Sequence, residues 1–250
     1  MDIETESFRW GLEHLSPTDS AWVELQEVLH SINREEIVKE KHRSFDEWRR
    51  GSIRTPRVGG QDLINGLIKS RLVELNWESQ IFVLDLPKTE INKLETETFE
   101  PKEKKKSETK KVSYWTMDFK KGDIGVEVSF NNAGVLAQNL LRLSVMSESY
   151  LKKKEEKIRL GILITAQENL KKWSNMDSTV LTFETVKRVF PLINFNIPTP
   201  IVLVGLSSST GGEVWEASQY FGHKSLDPYE KLSDVEREIW KKVIDSEKIL

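Results

Sequence analysis

The chain has 250 residues, of which 38% are hydrophobic and 31% are charged, and its formal net charge is −3. This composition excludes a disordered chain and is typical of a globular α/β domain with a sizeable core. The complete absence of cysteine excludes disulfide bonds and cysteine-ligated zinc or iron–sulfur sites.

Charge and hydropathy narrow the function classes further. The near-neutral charge provides no bulk basic excess for nucleic acid, although a local basic face is sufficient to bind DNA. No apolar run is long enough to span a membrane, and the acidic N-terminus lacks the apolar segment of a signal peptide. We therefore expect a cytoplasmic protein made of a single domain over residues 1–250.

We predict two amphipathic helices in the first half of the chain. Pro17 suits a first helical turn, and Trp22 and Leu25 begin an apolar stripe that predicts a helix over about 17–32. An arginine-rich loop with proline and glycine follows at 43–60. A second helix is predicted over about 61–75, and a short strand over 81–84.

Residues 86–111 are dominated by lysine, glutamate and threonine. This segment is either a basic arm that contacts DNA or a solvated excursion on the surface. The second interpretation is favoured, because runs of charged residues are usually solvated.

Strands and helices alternate in the second half. Near-continuous apolar runs such as IRLGILIT predict strands that are covered on both faces. Alternation of this kind predicts an α/β sheet with helices on both faces. The predicted strands are 112–119, 123–130, 158–165 and 200–206; the predicted helices are 132–149, 182–191 and a charged C-terminal helix at about 233–247.

The hairpin formed by the first two of these strands carries the candidate chemistry. With a period of two, Val126 and Val128 lie on an apolar face, and Glu127 lies on the opposite face beside Gly125, whose missing side chain leaves room for a ligand. Asp118 ends the preceding strand and approaches Glu127 if the strands pair across the turn.

Two nearby carboxylates repel each other, and a divalent cation relieves that repulsion. Oxygen-only ligands select a hard ion such as Mg²⁺, which polarises phosphodiesters and activates water. The backbone carbonyl of Val128 is a further candidate ligand. Two alternatives stay open from spacing alone: a solvated strand face without metal, and Asp123 in place of Asp118 as the first carboxylate.

The pattern from Asp118-Phe119 to Glu127-Val128-Ser129-Phe130 resembles the active-site hairpin of the BglII and BstYI restriction endonucleases, a branch of the PD-(D/E)XK nucleases. The likeness extends over about residues 50–207 and includes the strand at 158–165. It implies a restriction-endonuclease-like central mixed sheet flanked by helices. It also implies a homodimer that clasps double-stranded DNA and hydrolyses one phosphodiester in each strand with Mg²⁺, as a type II enzyme does.

The resemblance assigns roles to residues of the hairpin. Asp118 is the metal ligand, and Glu127 is the second acidic residue. Ser129 occupies the catalytic position at which the family generally carries Gln, Glu or Lys. A serine hydroxyl neither acts as a base near neutral pH nor carries a positive charge. A DNA-binding protein of the same fold with weakened or lost catalysis is therefore an alternative, as is a repair or recombination nuclease.

Candidate DNA contacts follow the hairpin. Asn131 and Asn132 stand at a helix start, where asparagine either pairs with adenine or caps the helix. Arg142, farther along that helix, reaches either a guanine or a phosphate, unless it is an ordinary surface arginine. Related enzymes read sites with a GATC core, and we expect one here. Phosphate contacts, which position a protein without reading sequence, suit the arginine cluster of the 43–60 loop, Arg49, Arg50, Arg54 and Arg57.

Overall fold

The computed structural model describes residues 1–33, 60–83, 115–130, 134–148, 153–174, 176–192 and 198–208, with positions 36, 37, 39, 40, 43, 44, 47, 52 and 132. Its centre is a six-stranded sheet. The strands are β1 (Asp2–Phe8), β2 (Glu78–Phe82), β3 (Thr116–Lys121), β4 (Ile124–Val128), β5 (Leu160–Ala166) and β6 (Ile201–Ser207). The α-helices whose bounds fall within the described residues are α1 (Ser20–Ser31), α2 (Gly60–Glu74), α3 (Gly134–Glu148), α4 (Glu168–Trp173) and α5 (Phe183–Val189).

The strand order is β1-β6-β5-β4-β3-β2, with both parallel and antiparallel neighbours. β4, β5 and β6 run parallel, while β1, β3 and β2 pair antiparallel to their neighbours. Parallel neighbours need crossover connections. Helix α3 lies between β4 and β5 in the chain, and α4 and α5 lie between β5 and β6. The predicted mixed α/β sheet is confirmed.

Two apolar layers hold the helices against the sheet. Helices α1, α2 and α4 contribute side chains such as Leu25, Ile64 and Leu170 to the layer that contains Val126 of β4. Helices α3 and α5 contribute to the layer on the other face, where Leu143 packs. Every residue of β5 and β6 is buried, as expected for strands covered on both faces.

Several element boundaries differ from the prediction. Helix α1 begins at Ser20 because the side chain of Asp19 caps it, accepting a hydrogen bond of 3.1 Å from the Ala21 amide. The sequence pattern missed β1, whose exposed acidic alternation lacks the apolar signal of a buried strand. It also missed the short helix α4. Strand β2 lies over 78–82, three residues before the predicted start at 81.

Other predictions fall partly or wholly outside the described residues. Positions 43, 44 and 47 are helical, so the start of the predicted 43–60 loop is wrong. Outside the described residues lie the charged excursion at 86–111, the predicted C-terminal helix and four arginines of that loop, Arg49, Arg50, Arg54 and Arg57. Within the described part of the chain, no helix is both long and apolar enough to cross a membrane.

Candidate active site

Strands β3 and β4 separate where the sequence places its acidic residues. Their ladder runs from the turn, where Gly122 adopts a left-handed φ of 56°, to the pair Phe119–Val126. Beyond that pair, Asp118 Oδ2 accepts a hydrogen bond of 2.9 Å from the Val128 amide. A carboxylate side chain therefore joins the two strands where the backbone ladder has ended.

Glu127 lies on the opposite face of β4 from the apolar residues and is only 1% exposed. Helix α3 covers it and supplies Arg142, whose Nη1 lies 3.1 Å and 3.3 Å from the two Glu127 carboxylate oxygens. Arg142 also donates to the backbone oxygen of Thr116 at 3.1 Å and to Asn139 Oδ1 at 3.0 Å. The buried Glu127 side chain therefore has a fixed partner in the Arg142 guanidinium.

The carboxylates face a cavity of about 230 Å³, which we call the acidic cavity. Three layers of the fold contribute to its wall: helix α2, the β2–β4 strands and helix α3. Its lining consists of Asn65, Lys69, Gln80, Asp118, Phe119, Glu127, Val128, Val135, Asn139 and Arg142. The structure thus brings Asp118 and Glu127 together, as the hairpin pattern predicted.

Burial raises the pKa of both carboxyl groups, and the charge of Asp118 raises that of Glu127 further. Burial raises the pKa of Asp118, against the opposing effect of the Val128 amide. Burial, followed by the charge of Asp118, raises the pKa of Glu127 to about 9, and Arg142 opposes this rise. In the absence of a cation, Glu127 therefore keeps its proton at neutral pH.

The oxygen atoms of the cavity fit a hard divalent cation. Asp118 and Glu127 offer carboxylates, and Asn65 Oδ1 is a buried oxygen without a hydrogen-bond partner among the described residues. In the part of the chain that the structure describes, no group of three or more His, Cys, Asp or Glu residues is placed to hold a metal. Amide, backbone and water oxygens would therefore complete a coordination shell of the Mg²⁺ type. Val128 lines the cavity, and its role as a ligand stays a prediction.

Two other features of the hairpin lie away from the cavity. The space beside Gly125 is filled, because Met117 Sδ and Ile158 Cδ1 would lie 2.6 Å and 2.8 Å from a Cβ built there. The interpretation of this glycine as room for a ligand is therefore wrong. Ser129 is 1% exposed, its amide donates to the Ile164 carbonyl at 2.8 Å, and it does not line the cavity. Its catalytic role stays a prediction that no contact in the cavity supports.

Asp123 stands apart from the acidic cavity. It is exposed beside the β3–β4 turn, where its Oδ2 accepts a hydrogen bond of 2.8 Å from Arg159 Nε. This hydrogen bond holds the pKa of Asp123 below its usual value. Asp118, and not Asp123, is therefore the carboxylate that shares a cavity with Glu127.

The predicted DNA contacts occupy different environments. Asn132 is exposed, and its Oδ1 accepts a hydrogen bond of 3.1 Å from the Gly134 amide at the start of α3. Arg142 is 19% exposed and engaged with Glu127. Asn131 lies outside the described residues. A DNA contact by any of these residues stays a prediction.

Sequence reasoning missed the part of the cavity wall that comes from α2 and β2. Asn65 and Lys69 are four residues apart, so they share a face of α2, and Gln80 follows in β2. The spacing of these two residues in the sequence already indicated that they share one face of a helix. Nothing in the sequence indicated that this face would turn toward the β3–β4 hairpin.

The fold and the site together define a class of protein: an α/β protein with a mixed six-stranded sheet that holds paired carboxylates in an oxygen-lined cavity. The family model for the restriction endonucleases BglII/BglIII matches residues 3–206, and the chain belongs to this family. The resemblance read from the hairpin is therefore confirmed, and with it a restriction endonuclease that acts on DNA.

Solved structures agree with the fold. The crystal structure of restriction endonuclease BglII complexed with a DNA 16-mer is 20% identical, with a TM-score of 0.53, and the match covers 85% of this chain and 81% of that one. The crystal structure of free BglII is also 20% identical, with a TM-score of 0.46, and the match covers 85% of this chain and 82% of that one. Among curated proteins, none matches this chain.

Proposed function

We propose that this chain is a Mg²⁺-dependent type II restriction endonuclease that hydrolyses a phosphodiester in each strand of duplex DNA at a short specific site. The observation that carries the proposal is the convergence of Asp118 and Glu127 on one oxygen-lined cavity. Family membership supports the activity. The BglII structure bound to a DNA 16-mer supports duplex DNA as the substrate.

The cavity suggests how its residues divide the work. Asp118 and Glu127 would hold Mg²⁺, with the Asn65 and Val128 oxygens beside them. The chemistry that Mg²⁺ supplies when bound is polarisation of the phosphodiester and acidification of the attacking water. Hydrolysis there would add a water oxygen to phosphorus and break its bond to the 3′ oxygen, so the upstream fragment would end in a 3′ hydroxyl and the downstream fragment would keep a 5′ phosphate. Lys69, at the rim, places a positive charge where the phosphate would lie.

Site recognition and assembly are part of the same proposal. Asn131 and Asn132 would contact base edges from the start of α3. A homodimer would present two such cavities to the two strands of a palindromic site with a GATC core. The fragment pattern of a plasmid of known sequence identifies the site. Sedimentation with and without a duplex of that site establishes whether two chains bind one duplex.

The direct test is plasmid cleavage with Mg²⁺ by the wild type and by Asp118→Asn. Loss of a metal ligand removes several kcal/mol of transition-state stabilisation, so we expect the rate to fall at least about a hundredfold. DNA affinity in EDTA should stay close to that of the wild type. Asp123→Asn is the matched control, because it removes a carboxylate of the same hairpin outside the cavity. Full cleavage by Asp118→Asn would refute the site.

Ser129 favours a second candidate, a DNA-binding protein of the same fold with weakened catalysis. The serine is buried away from the cavity and contributes neither a base nor a charge there. Gel shifts and cleavage assays on the same duplex separate the two functions. Retardation of a specific duplex without cleavage in Mg²⁺ or Mn²⁺ favours the binder, whereas discrete fragments favour the enzyme. Products that depend on junctions or flaps would indicate a repair or recombination nuclease.

A further inference from the structure

Gln80 has an unusual backbone for a residue inside a strand. Its φ is 56°, in the left-handed region that a glutamine rarely occupies, although β2 pairs with β3 on both sides of it. The register joins Ser79 to Phe119 and Ile81 to Met117, and the Gln80–Asp118 position between them is unpaired. Strained backbone of this kind persists only where the surrounding structure enforces it.

The side chain of Gln80 uses both ends of its amide at this position. Its Oε1 accepts a hydrogen bond of 3.0 Å from the Thr116 hydroxyl. Its Nε2 donates to Asp118 Oδ1 across 3.4 Å. The reverse orientation would turn an amide oxygen toward a carboxylate, and the chemistry of the partners therefore determines which end faces Asp118.

Gln80 also completes a chain of contacts around the acidic cavity. Asp118 Oδ2 is already held by the Val128 amide, so the Gln80 amide engages the remaining oxygen. Thr116, which donates to Gln80, accepts from Arg142 through its backbone oxygen. Arg142 in turn holds Glu127. The two carboxylates are therefore oriented through one connected set of hydrogen bonds.

We infer that Gln80 is a positioning residue for Asp118, and that β2 accepts its left-handed backbone because that backbone directs the amide into the acidic cavity. The inference rests on the proposed function, since it assigns Asp118 to a divalent cation. Partners of this kind orient ligands, and their loss typically lowers metal affinity or activity by about 10- to 100-fold.

The strain allows stability and activity to be separated. Gln80→Gly removes the side chain and relieves the left-handed backbone, so we expect the melting temperature in EDTA to rise by about 2–4 °C. The same variant should bind Ca²⁺ about tenfold more weakly and lose about tenfold in kcat, with little change in KM for DNA. A change that merely loosened the fold would lower the melting temperature instead.

Asn76 provides the matched control. It has a φ of 61° in the turn between α2 and β2, and it does not line the acidic cavity. Asn76→Gly should leave or raise the melting temperature while Ca²⁺ affinity and cleavage stay at wild-type values. Gln80→Glu is the second variant: it keeps the size and the acceptor for Thr116 but loses the N–H donor to Asp118. It should reduce kcat although its backbone strain is unchanged.

The outcomes separate this inference from the proposed function. If the wild type neither cleaves DNA nor binds Ca²⁺, the proposed function and the inference both fail. If the wild type cleaves and both Gln80 variants match it in kcat and Ca²⁺ affinity, the inference alone fails. A more stable Gln80→Gly with weakened Ca²⁺ binding, beside an unaffected Asn76→Gly, would support it.

Discussion

The raised pKa of Glu127 predicts that the metal-free protein loses stability as the pH rises. In the folded protein this pKa is about 9, against an ordinary value of 4.5. Between these values the folded state binds more protons than the unfolded state, so the free energy of unfolding falls with increasing pH. The stabilisation is complete below pH 4.5 and is lost as the pH approaches 9.

The expected size follows from the linkage relation. Each pH unit inside this window changes the free energy of unfolding by about 1.4 kcal/mol. Between pH 6 and pH 8 the loss from Glu127 is then roughly 2–3 kcal/mol. A domain of this size loses about 2–4 °C of melting temperature per kcal/mol. The melting temperature in EDTA should therefore fall by about 5–10 °C over these two pH units.

Glu127→Gln tests the assignment, because the amide keeps the shape of the carboxyl and has no proton to lose. Its melting temperature should change little between pH 6 and pH 8, whereas Asp123→Asn, at an exposed carboxylate paired with Arg159, should follow the wild type. Ca²⁺ should stabilise the wild type more at pH 8 than at pH 6, since cation binding displaces the proton. The reasoning is refuted if Glu127→Gln declines with pH as steeply as the wild type does.

Substitutions at three further positions test neighbouring features. Arg142→Ala removes the partner of Glu127, so thermal unfolding should show a larger loss of stability at pH 10 than at pH 7, because Glu127 ionises only as the pH passes about 9, and Arg142→Lys should recover part of it; equal losses would argue against the Glu127–Arg142 contact. Ser129→Ala should keep the cleavage rate within about threefold of that of the wild type, because Ser129 does not line the cavity. This corresponds to a change below about 0.7 kcal/mol in the activation barrier. A larger loss in kcat would give Ser129 a catalytic role. Gly205→Ala should lower the free energy of unfolding by about 1–3 kcal/mol, as measured by urea denaturation, because a Cβ there would lie 2.5 Å from the Phe183 ring. Unchanged stability would contradict that packing.

The sequence pattern was sufficient to predict the elements with a strong hydrophobic signal. The runs that became β5 and β6 are apolar at nearly every position, as expected for parallel strands that are covered on both faces. The alternation through Val126, Glu127 and Val128 predicted which side of β4 carries the glutamate. Elements without such a signal, β1 and α4, were missed because their burial depends on neighbours that are distant in the chain.

The proximity of Asp118 and Glu127 could be predicted from the sequence because the hairpin is local: a turn at Gly122 brings together residues that are nine positions apart. The residues that form the other walls of the acidic cavity could not be predicted from the sequence. Asn65, Lys69 and Gln80 reach it only because α2 packs on one face of the sheet and β2 pairs at its edge. No local pattern encodes which face of a helix meets a distant hairpin.

Sequence alone therefore determined where the core strands lie along the chain, the acidic pair and the family to which the chain is related. Only the tertiary structure decided that Arg142 holds Glu127, that Met117 and Ile158 fill the space beside Gly125, and that Gln80 meets Asp118. The physical reason is the distance along the chain over which each effect acts. The alternation of polar and apolar residues and the preferences of turn residues act over a few neighbouring residues. Burial, ion pairing and the resulting pKa values depend on side chains that packing alone brings together.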